Sequence, residues 1–510
     1  MVQGTKGADL ARLAVDIAGW RPLALPTLPR LHIRVVTTIF LYLVLVDLSL
    51  YHGSDPDYWW HLVTGRIIVQ DHTIPRHDLF SWTMSGATWV THEWLSEAVI
   101  YSLDRLLGYL ATAVLFTVVG ALALVVVHRL VLRLGVSGRL ALLLVALGGV
   151  ASLPYWTVRP QLFTFLFTAV FLRAVFLRYR EGRGHLWYLP LLMLLWANLH
   201  GGFVTGLTLV AALPVSLLID RFTLHRKADL REPLAVLVAC IGVVAINPNG
   251  PDLLAYPVTY LLPGDASRSL ISEWQAPNFH VAGHWPLMAA LALLVVTGVD
   301  RRRGVLPVLL AVLFTFMALN ASRSQPLFAL VLPVLVGERW AMGRSEDKTS
   351  RHIPGGFVWA NWLILLVIIS VFAVALIPRT TAYDAGRDAP LNGYPQDAAQ
   401  YVLRNHPDAR VFNSYNYGGY LIYAWYPQQM VFVDGRADVY GAEFLNDYSK
   451  VTRLSEGWDE ILDRYAIDLV LIETDSPLAS ALRVDPRWEE DFRGTEASVF
   501  VRPQSKLERP

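Results

Sequence analysis

Long apolar runs alternate with short polar stretches along most of the chain. Because a helix needs roughly 20 residues to cross the hydrocarbon core of a bilayer, the shorter runs must extend into their flanks. The pattern predicts a polytopic α-helical membrane protein with about 11 transmembrane helices. The runs fall at about 34–51, 109–133, 139–154, 161–177, 187–200, 203–219, 232–246, 285–299, 304–319, 323–337 and 357–377.

Basic residues concentrate in alternate loops. Lysine and arginine in short loops are retained on the cytoplasmic side of a membrane. The pattern therefore predicts a cytoplasmic N-terminal segment over 1–33, an outer loop over 52–108 and an extracytoplasmic C-terminus. The clusters are Arg129, Arg133 and Arg139; Arg173, Arg178, Arg180 and Arg183; Arg221, Arg226, Lys227 and Arg231; Arg301, Arg302 and Arg303; and Arg339, Arg344, Lys348 and Arg351.

The segment from His92 to Leu107 has a helical pattern but carries Glu93, Glu97, Asp104 and Arg105. If it crossed the membrane, the basic run after residue 128 would face outward, against the charge rule. We therefore expect this helix to lie along the outer interface.

The chain becomes more polar after residue 377. Short strand-like runs separated by helical patterns predict a small α/β domain outside the membrane. The sequence thus divides into segment 1–33, a transmembrane domain over 34–377 and an extracytoplasmic α/β domain over 378–510. The strand-like runs are Arg410–Phe412, Met430–Val433, Leu469–Ile472 and Ser498–Val501.

Composition agrees with a membrane protein. Of the 510 residues, 54% are hydrophobic and 17% are charged, whereas a soluble domain carries roughly a quarter charged residues. The formal net charge of +1 gives no basis for nucleic-acid binding. The single cysteine, Cys240, excludes an intrachain disulfide framework and a multi-cysteine metal site.

Polar and charged residues are energetically costly to bury in a membrane protein. In this sequence the costly ones fall at the outer ends of the predicted helices or in the outer loops. Such residues are usually functional, so we expect them to line one polar cavity. The candidates are Asp55, Asp57, His61, His92, Glu93, Arg159, Gln161, His200, Asn247, Glu273, Asn320 and Arg323.

Simpler explanations exist for several candidates taken singly. Asp55 and Asp57 could cap the helix that begins near Tyr58. Arg159 at the membrane edge could extend to lipid headgroups, and Asn247 lies in an Asn-Pro-Asn-Gly turn sequence. Their convergence on one side of the membrane favours a shared function.

A polyprenyl-phosphate donor suits such a cavity, because it joins a charged head to a long apolar tail. Its phosphate needs arginine or amide donors, which Arg159, Arg323, Asn320 and His200 could supply. The acceptor needs a base, which Asp55 or Asp57 could supply. The sequence has no glycine-rich phosphate loop opening a helix, which favours a lipid-linked donor over a nucleotide sugar.

The layout resembles the GT-C superfamily of membrane glycosyltransferases, which includes protein O-mannosyltransferases and aminoarabinose transferases. Asp55-x-Asp57 stands where that family has an acidic pair, Tyr58–Gln70 resembles its first interfacial helix, and Thr91–Leu95 occupies the place of the next motif. The resemblance implies an inverting transferase that uses a polyprenyl-phosphate-linked sugar. Pro56 separates the two aspartates, so either could be the base. Relatives often carry Pro-Pro where His92-Glu93 stands.

Some members of the family use a divalent metal ion, and Asp55 and Asp57 are chemically suited to hold one. In the C-terminal domain, charged and aromatic residues around glycine turns suit sugar recognition. A turn in which Asp434 and Arg436 pair with each other explains these two residues equally well. The C-terminal candidates are Tyr420, Asp434, Arg436 and Asp438.

The sequence therefore predicts a GT-C-like, multi-pass protein of the cytoplasmic membrane that transfers a sugar to an extracytoplasmic glycan, lipid or protein. A lipid-linked glycan transporter or flippase is one alternative, although no inverted repeat is evident. A non-catalytic assembly protein whose outer domain binds a partner is the other.

Overall fold

The computed structural model describes residues 31–50, 55–182, 184–226, 228–256, 271–341, 355–384 and 393–503. Most of the predicted cytoplasmic segment 1–33 lies outside these residues. So do Arg183 and Lys227, and the basic residues between 342 and 354.

Helices make up the first part of the chain. They are α1 (Ile33–Ser49), α2 (Pro56–Gln70), α3 (Trp94–Arg133), α4 (Gly138–Ser152), α5 (Gln161–Glu181), α6 (Leu189–Leu199), α7 (Phe203–Thr223), α8 (Arg231–Val244), α9 (Trp285–Thr297), α10 (Leu306–Asn320), α11 (Gln325–Ala341) and α12 (Gly355–Asp384). Single 3₁₀ turns connect several of them, including Ser272–Trp274 and Ser322–Ser324.

Four of the described helical segments are long and apolar enough to cross a membrane: α3, α4 with the turn that follows it, α5 and α7. Shorter apolar helices are α6, α9 with the turn before it, α10 and the Trp359–Ala375 part of α12. Helix α11 is buried on every side from Gln325 to Glu338, as expected for an apolar helix at the centre of a bundle. The total of about 11 spans stays a prediction.

Helix α3 contains a break at Gly108. Its φ of 79° and ψ of 171° are not helical, and a positive φ is readily adopted by glycine. The break separates Trp94–Leu107 from the apolar part that follows, at the boundary expected from the sequence. The first part packs against α2. Its placement along the membrane interface stays a prediction.

The C-terminal region, residues 393–503, contains a four-stranded sheet. Its elements are α13 (Gln396–Asn405), β1 (Val411–Asn413), α14 (Tyr415–Trp425), α15 (Ala442–Thr452), α16 (Trp458–Arg464), β2 (Leu469–Glu473), α17 (Pro477–Val484), β3 (Glu489–Arg493) and β4 (Ala497–Val501). The strand order is β1-β2-β4-β3, in which only the β1–β2 pair is parallel.

The strand expected at Met430–Val433 does not form. The side chain of Asn413 bonds the backbone of this run in place of a neighbouring strand. Its Oδ1 accepts from the backbone N–H of Phe432 at 2.7 Å, and its Nδ2 donates to the Val433 carbonyl at 2.8 Å. Val431 instead makes a single bridge to Ser81 of the outer loop. The strand β3 was not predicted, because its Glu-Glu-Asp-Phe-Arg sequence has no apolar alternation.

The C-terminal region packs directly on α2 and the outer loop. The backbone of Gly419 on α14 lies so close to the Pro56 carbonyl that a Cβ would overlap it. Trp59 is buried among the rings of Tyr394, Tyr420 and Tyr423, at centroid distances of 4.9–5.5 Å. The helix that begins with the acidic pair is therefore held by the C-terminal region.

Candidate functional site

A cavity of about 500 Å³ opens where α2, the start of α3, the loop before α5, the end of α10 and the 433–438 loop meet. It brings together most residues that the sequence singled out. Those that line it are Asp55, Asp57, His61, His92, Glu93, Arg159, Gln161, His200, Glu273, Asn320, Arg323, Arg436 and Asp438.

Asp55 is the N-cap of α2. Its Oδ1 accepts from the backbone N–H of Asp57 at 3.0 Å, and Pro56 takes the first helical position, where a missing N–H costs nothing. The other oxygen, Oδ2, accepts from the Thr157 hydroxyl at 2.9 Å. The capping explanation therefore describes Asp55, which also ties α2 to the loop before α5.

Asp57 is not a cap and faces the cavity. Its Oδ1 accepts from the Trp60 indole N–H at 3.1 Å, and its Oδ2 accepts from Arg159. Burial raises the pKa of Asp57 to about 7, partly opposed by Arg159 and reinforced by Asp55. A carboxylate with a pKa near neutrality suits proton transfer at physiological pH.

Arg159 lies among three carboxylates. Its Nη1 donates to Glu273 Oε1 at 2.8 Å, its Nη2 donates to Asp57, and its Nε lies 3.6 Å from Asp55 Oδ1. Burial alone would lower the pKa of Arg159, but Asp55, Asp57 and Glu273 hold it well above its ordinary value. The guanidinium is therefore a permanent positive charge at the centre of the acidic wall of the cavity.

Glu93 lies at the centre of three histidines on the next part of the cavity wall. Its carboxylate oxygens are 3.3 Å from His200 Nε2, 3.5 Å from His92 Nε2 and 3.7 Å from His61 Nε2. Burial lowers the pKa of His61 and of His200 to about 3. Burial also opposes the charge of His92, but Glu93 prevails and raises the pKa of His92.

The charge on His92 in turn outweighs burial and holds the pKa of Glu93 well below its usual range. The cluster therefore carries one ion pair, His92–Glu93, and two neutral imidazoles. Nδ1 of His200 accepts from the backbone N–H of Gly202 at 2.8 Å, which leaves the proton of the neutral ring on Nε2, directed at Glu93.

Arg323 lies across the cavity with a different environment. Its guanidinium stacks on the Trp274 ring at 4.2 Å from the centroid. Ser322 fixes the turn, because its backbone N–H donates to the Gln275 carbonyl at 2.8 Å. Within the described ranges Arg323 has no carboxylate at ion-pair distance, so its N–H groups are free to bind an anion.

Three predicted residues do not line the cavity. Asn247 closes its own turn, with Nδ2 donating to the carbonyls of Val244 and Gly250 at 2.5 and 2.8 Å. Tyr420 packs on Trp59. Asp434 binds the Arg436 guanidinium through both oxygens at 2.7–2.8 Å. The turn explanations therefore describe Asn247 and Asp434.

Arg436 is buried, with 2% of its surface exposed. Besides Asp434 it binds Asp78 of the outer loop at 2.6 Å, and its guanidinium lies 4.6–4.7 Å from the ring centroids of Phe80 and Trp89. It therefore joins the C-terminal region to the outer loop. Its neighbour Asp438 lines the cavity, where burial raises the pKa of its carboxyl against the charge of His92.

The sequence reasoning missed several lining residues, among them Trp60, Thr164, Tyr256, Tyr415 and Asn416. Thr164 follows Gln161 by three positions, the spacing of one helix face, and its hydroxyl contacts His200 Nδ1 at 2.7 Å. Helical spacing from Gln161 was therefore an available signal. Tyr415 and Asn416 lie in the aromatic segment before Gly418 that suits sugar recognition, but their approach to this cavity depends on how the C-terminal region docks.

No family model matches the sequence, and no curated protein matches it either. The structure is similar to an archaeal oligosaccharyltransferase, AglB from Archaeoglobus fulgidus, in complex with an inhibitory peptide and a dolichol-phosphate. The TM-score is 0.56 at 11% identity, over 93% of this chain and 75% of that one. The chain has the GT-C fold. The predicted resemblance to GT-C glycosyltransferases is confirmed at the level of the fold.

Two further structures are similar. The apo form of the A. fulgidus oligosaccharyltransferase has a TM-score of 0.52 at 12% identity, over 86% of this chain and 70% of that one. ArnT from Cupriavidus metallidurans bound to undecaprenyl phosphate has a TM-score of 0.45 at 13% identity, over 93% and 98% of the respective chains.

Proposed function

We propose that this GT-C protein is a membrane glycosyltransferase that moves a sugar from a polyprenyl-phosphate-linked donor onto an extracytoplasmic acceptor, with Asp57 as the base. The observation that carries the proposal is the Asp57 carboxylate, buried in a polar cavity with its pKa raised to about 7. The fold shared with AglB supports the reaction class.

Asp57 is favoured over Asp55 because their oxygens are committed differently. One oxygen of Asp55 accepts from the backbone N–H of Asp57 at the start of α2, and the other accepts from the Thr157 hydroxyl. Both contacts of Asp57 come from cavity-lining side chains that stabilise and orient its charged form. Asp55 therefore positions α2, and Asp57 accepts the proton.

In the proposed step, the acceptor oxygen or nitrogen loses its proton to Asp57 and attacks the anomeric carbon of the donor. The bond from that carbon to the phosphate oxygen breaks, and polyprenyl phosphate leaves with the electron pair. A single displacement of this kind inverts the anomeric centre. A phosphate leaving group needs no general acid, but its charge must be stabilised.

Arg323 and Asn320 suit the leaving phosphate. Arg323 is the lining arginine without an ion-paired carboxylate among the described residues, and Asn320 lies on the same stretch of chain. Tyr415, Asn416 and Asp438 come from the C-terminal region and line the same cavity. We assign the first group to the donor and the second to the acceptor.

The charge pattern of the loops supports a cavity that faces outward in the cytoplasmic membrane, with the N-terminus inside and residues 393–503 outside. Labelling of single introduced cysteines by an impermeant thiol reagent in intact cells tests this orientation. A cysteine at position 408, which is exposed in the loop after α13, should be labelled. A cysteine at position 302, in the turn Arg301–Arg303, should not be labelled.

The decisive experiment is D57N in a transfer assay with polyprenyl-phosphate sugars in proteoliposomes. Loss of a general base should slow transfer by roughly 10²–10⁴-fold. The matched control is D71N, an exposed aspartate at the other end of the same helix, which should transfer at the wild-type rate. Full activity of D57N would exclude Asp57 as the base. Full activity of the D55N/D57N double variant would exclude both aspartates as the base, whereas a wild-type protein that transfers no sugar would favour a non-catalytic protein.

A further inference from the structure

The guanidinium of Arg159 presents each of its three nitrogens to a carboxylate from a different position of the chain. Asp55 and Asp57 come from the start of α2, and Glu273 comes from the turn Ser272–Trp274. The loop that carries Arg159 is itself fixed, because Thr157 donates to Asp55 at 2.9 Å. The arrangement therefore joins three separate segments at one cation.

Three carboxylates at this separation repel one another unless a cation lies between them. A hard divalent cation would bind through the same carboxylate oxygens. Here the planar guanidinium already takes the central position, and its fork geometry matches several carboxylates at once. Within the described ranges, no group of three or more His, Cys, Asp or Glu side chains is arranged to hold a metal ion. These residues, as arranged, do not fit a resident divalent ion.

We infer that Arg159 is the internal cation of this site and holds Asp55, Asp57 and Glu273 in the place that a divalent metal ion would otherwise occupy. The inference adds a role for Arg159 to the proposed transferase function, and the effect of that role on catalysis rests on the proposed function. Arg159 then acts as a positioning residue rather than as a phosphate ligand, because all its nitrogens face carboxylates. Sugar transfer by the wild-type protein needs no added metal.

The first test measures binding of Mn²⁺ alone to the purified full-length chain, by electron paramagnetic resonance after treatment with a chelator. The wild-type protein should bind no stoichiometric Mn²⁺. R159A leaves three carboxylates without their cation and should gain one site, which D57N in the same background should remove. The matched control is R133A, which removes an exposed arginine that pairs with Glu181 outside the cavity. It should behave as the wild type does.

Two results of this test would overturn the inference. One is a wild-type protein that binds one Mn²⁺ in a manner abolished by D57N. The other is a folded R159A that binds no more Mn²⁺ than R133A and keeps the wild-type melting temperature. If R159A does not fold, the wild-type measurement decides alone, since it requires no variant.

The second test measures sugar transfer. Wild-type activity should survive chelation unchanged, R159A should lose about 100-fold in kcat, and Mn²⁺ should restore at least part of the loss only in R159A. R159K, which supplies charge without the planar fork, should fall between R159A and the wild type, with KM for the donor unchanged. A wild-type enzyme that loses activity on chelation and regains it with Mn²⁺ would contradict the inference.

The two tests separate the inference from the proposed function. A wild-type protein that transfers no sugar from any polyprenyl-phosphate donor would count against the proposed function. The Mn²⁺ measurements would still decide whether Arg159 replaces a metal ion.

Discussion

The indole N–H of Trp60 donates to Asp57 Oδ1 at 3.1 Å, across one turn of α2. This bond fixes the orientation of the carboxylate and lowers its pKa, against the larger effect of burial. Trp60 is itself held by packing against His61 and Trp89. The orientation of the proposed base is therefore set by Trp60, which the surrounding aromatic residues hold in place.

Replacing Trp60 by phenylalanine removes the donor and keeps an aromatic ring. Because the hydrogen bond stabilises the charged carboxylate, its loss should raise the pKa of Asp57 further. A base works only when deprotonated, so the rising acidic limb of kcat/KM against pH should move to higher pH, with about tenfold loss at pH 7. A pH profile checks the shift, and W187F, which changes an exposed tryptophan, should keep the wild-type profile.

Gly435 gives a steric test of the same carboxylate. A Cβ at this position would overlap Asp57 Oδ1 and lie 3.3 Å from Trp60 Nε1. G435A should therefore displace Asp57 and lower kcat by about tenfold or more. Gly441, six residues later, has nothing within 4 Å of its Cβ position. Equal activities of G435A and G441A would contradict this close approach.

Arg323 is the proposed ligand of the donor phosphate. Removing a charged hydrogen bond to phosphate costs about 1.5–3 kcal/mol, so R323A should raise KM for the donor by roughly 10–150-fold. KM for the acceptor should change little. Initial rates with each substrate varied in turn separate the two effects. R339A, at the far end of α11, should change neither value.

Arg436 should be a stability determinant. R436L leaves Asp78 and Asp434 buried without their shared cation, and breaking a buried ion pair in this way costs about 3–5 kcal/mol. Arg487 pairs with Asp485 and Asp459 near the surface, with 41% of its side chain exposed. R487A should therefore cost no more than about 1 kcal/mol. Denaturant unfolding of the two variants in detergent compares them directly.

The His92–Glu93 pair predicts how stability depends on pH. The folded pKa of His92 is raised, so its contribution is full below the unfolded value of about 6.5 and is lost as pH rises through the folded value. The folded pKa of Glu93 is lowered, so its contribution is present above about pH 4.3 and is lost as pH falls through the folded value.

The difference in melting temperature between the wild type and H92Q should therefore be largest between about pH 4.5 and 6.5 and shrink above that range. H185Q, which changes an exposed histidine in the loop after α5, should show no such difference. Identical profiles for H92Q and the wild type from pH 5 to 9 would exclude a contribution of the ion pair to stability.

Residues next to the predicted helices could be assigned to the cavity from sequence alone, because loop charge fixes which helix ends share a side. That reasoning grouped Asp57, Arg159, Glu273 and Arg323 without showing their contacts. It could not distinguish Asp55 from Asp57, since the difference lies in the bond from Thr157, more than 100 positions away. It assigned Asn247 to the site because a turn asparagine and a lining asparagine have the same sequence signature.

The C-terminal region was harder to predict, because its position depends on side chains that replace regular pairing. The side chain of Asn413 binds the backbone of Phe432 and Val433. The strand-like apolar run 430–433 therefore does not join the sheet, and Val431 bridges to Ser81 of the outer loop instead. The acidic strand β3 is recognisable only from its partner β4. Tyr420 was predicted to take part in sugar recognition, but it packs on Trp59 and does not line the cavity.

The close packing of Gly419 on Pro56, with Trp59 enclosed by three tyrosines, limits how this protein can be recombined with relatives. The surface that receives the C-terminal region is the helix that carries the proposed base, so replacing either part removes the surface that matches the other. A chimaera that imports a foreign C-terminal region alone would place an unmatched surface against α2. We therefore expect that a chimaera that folds requires residues 55–93 and 393–440 to be moved together.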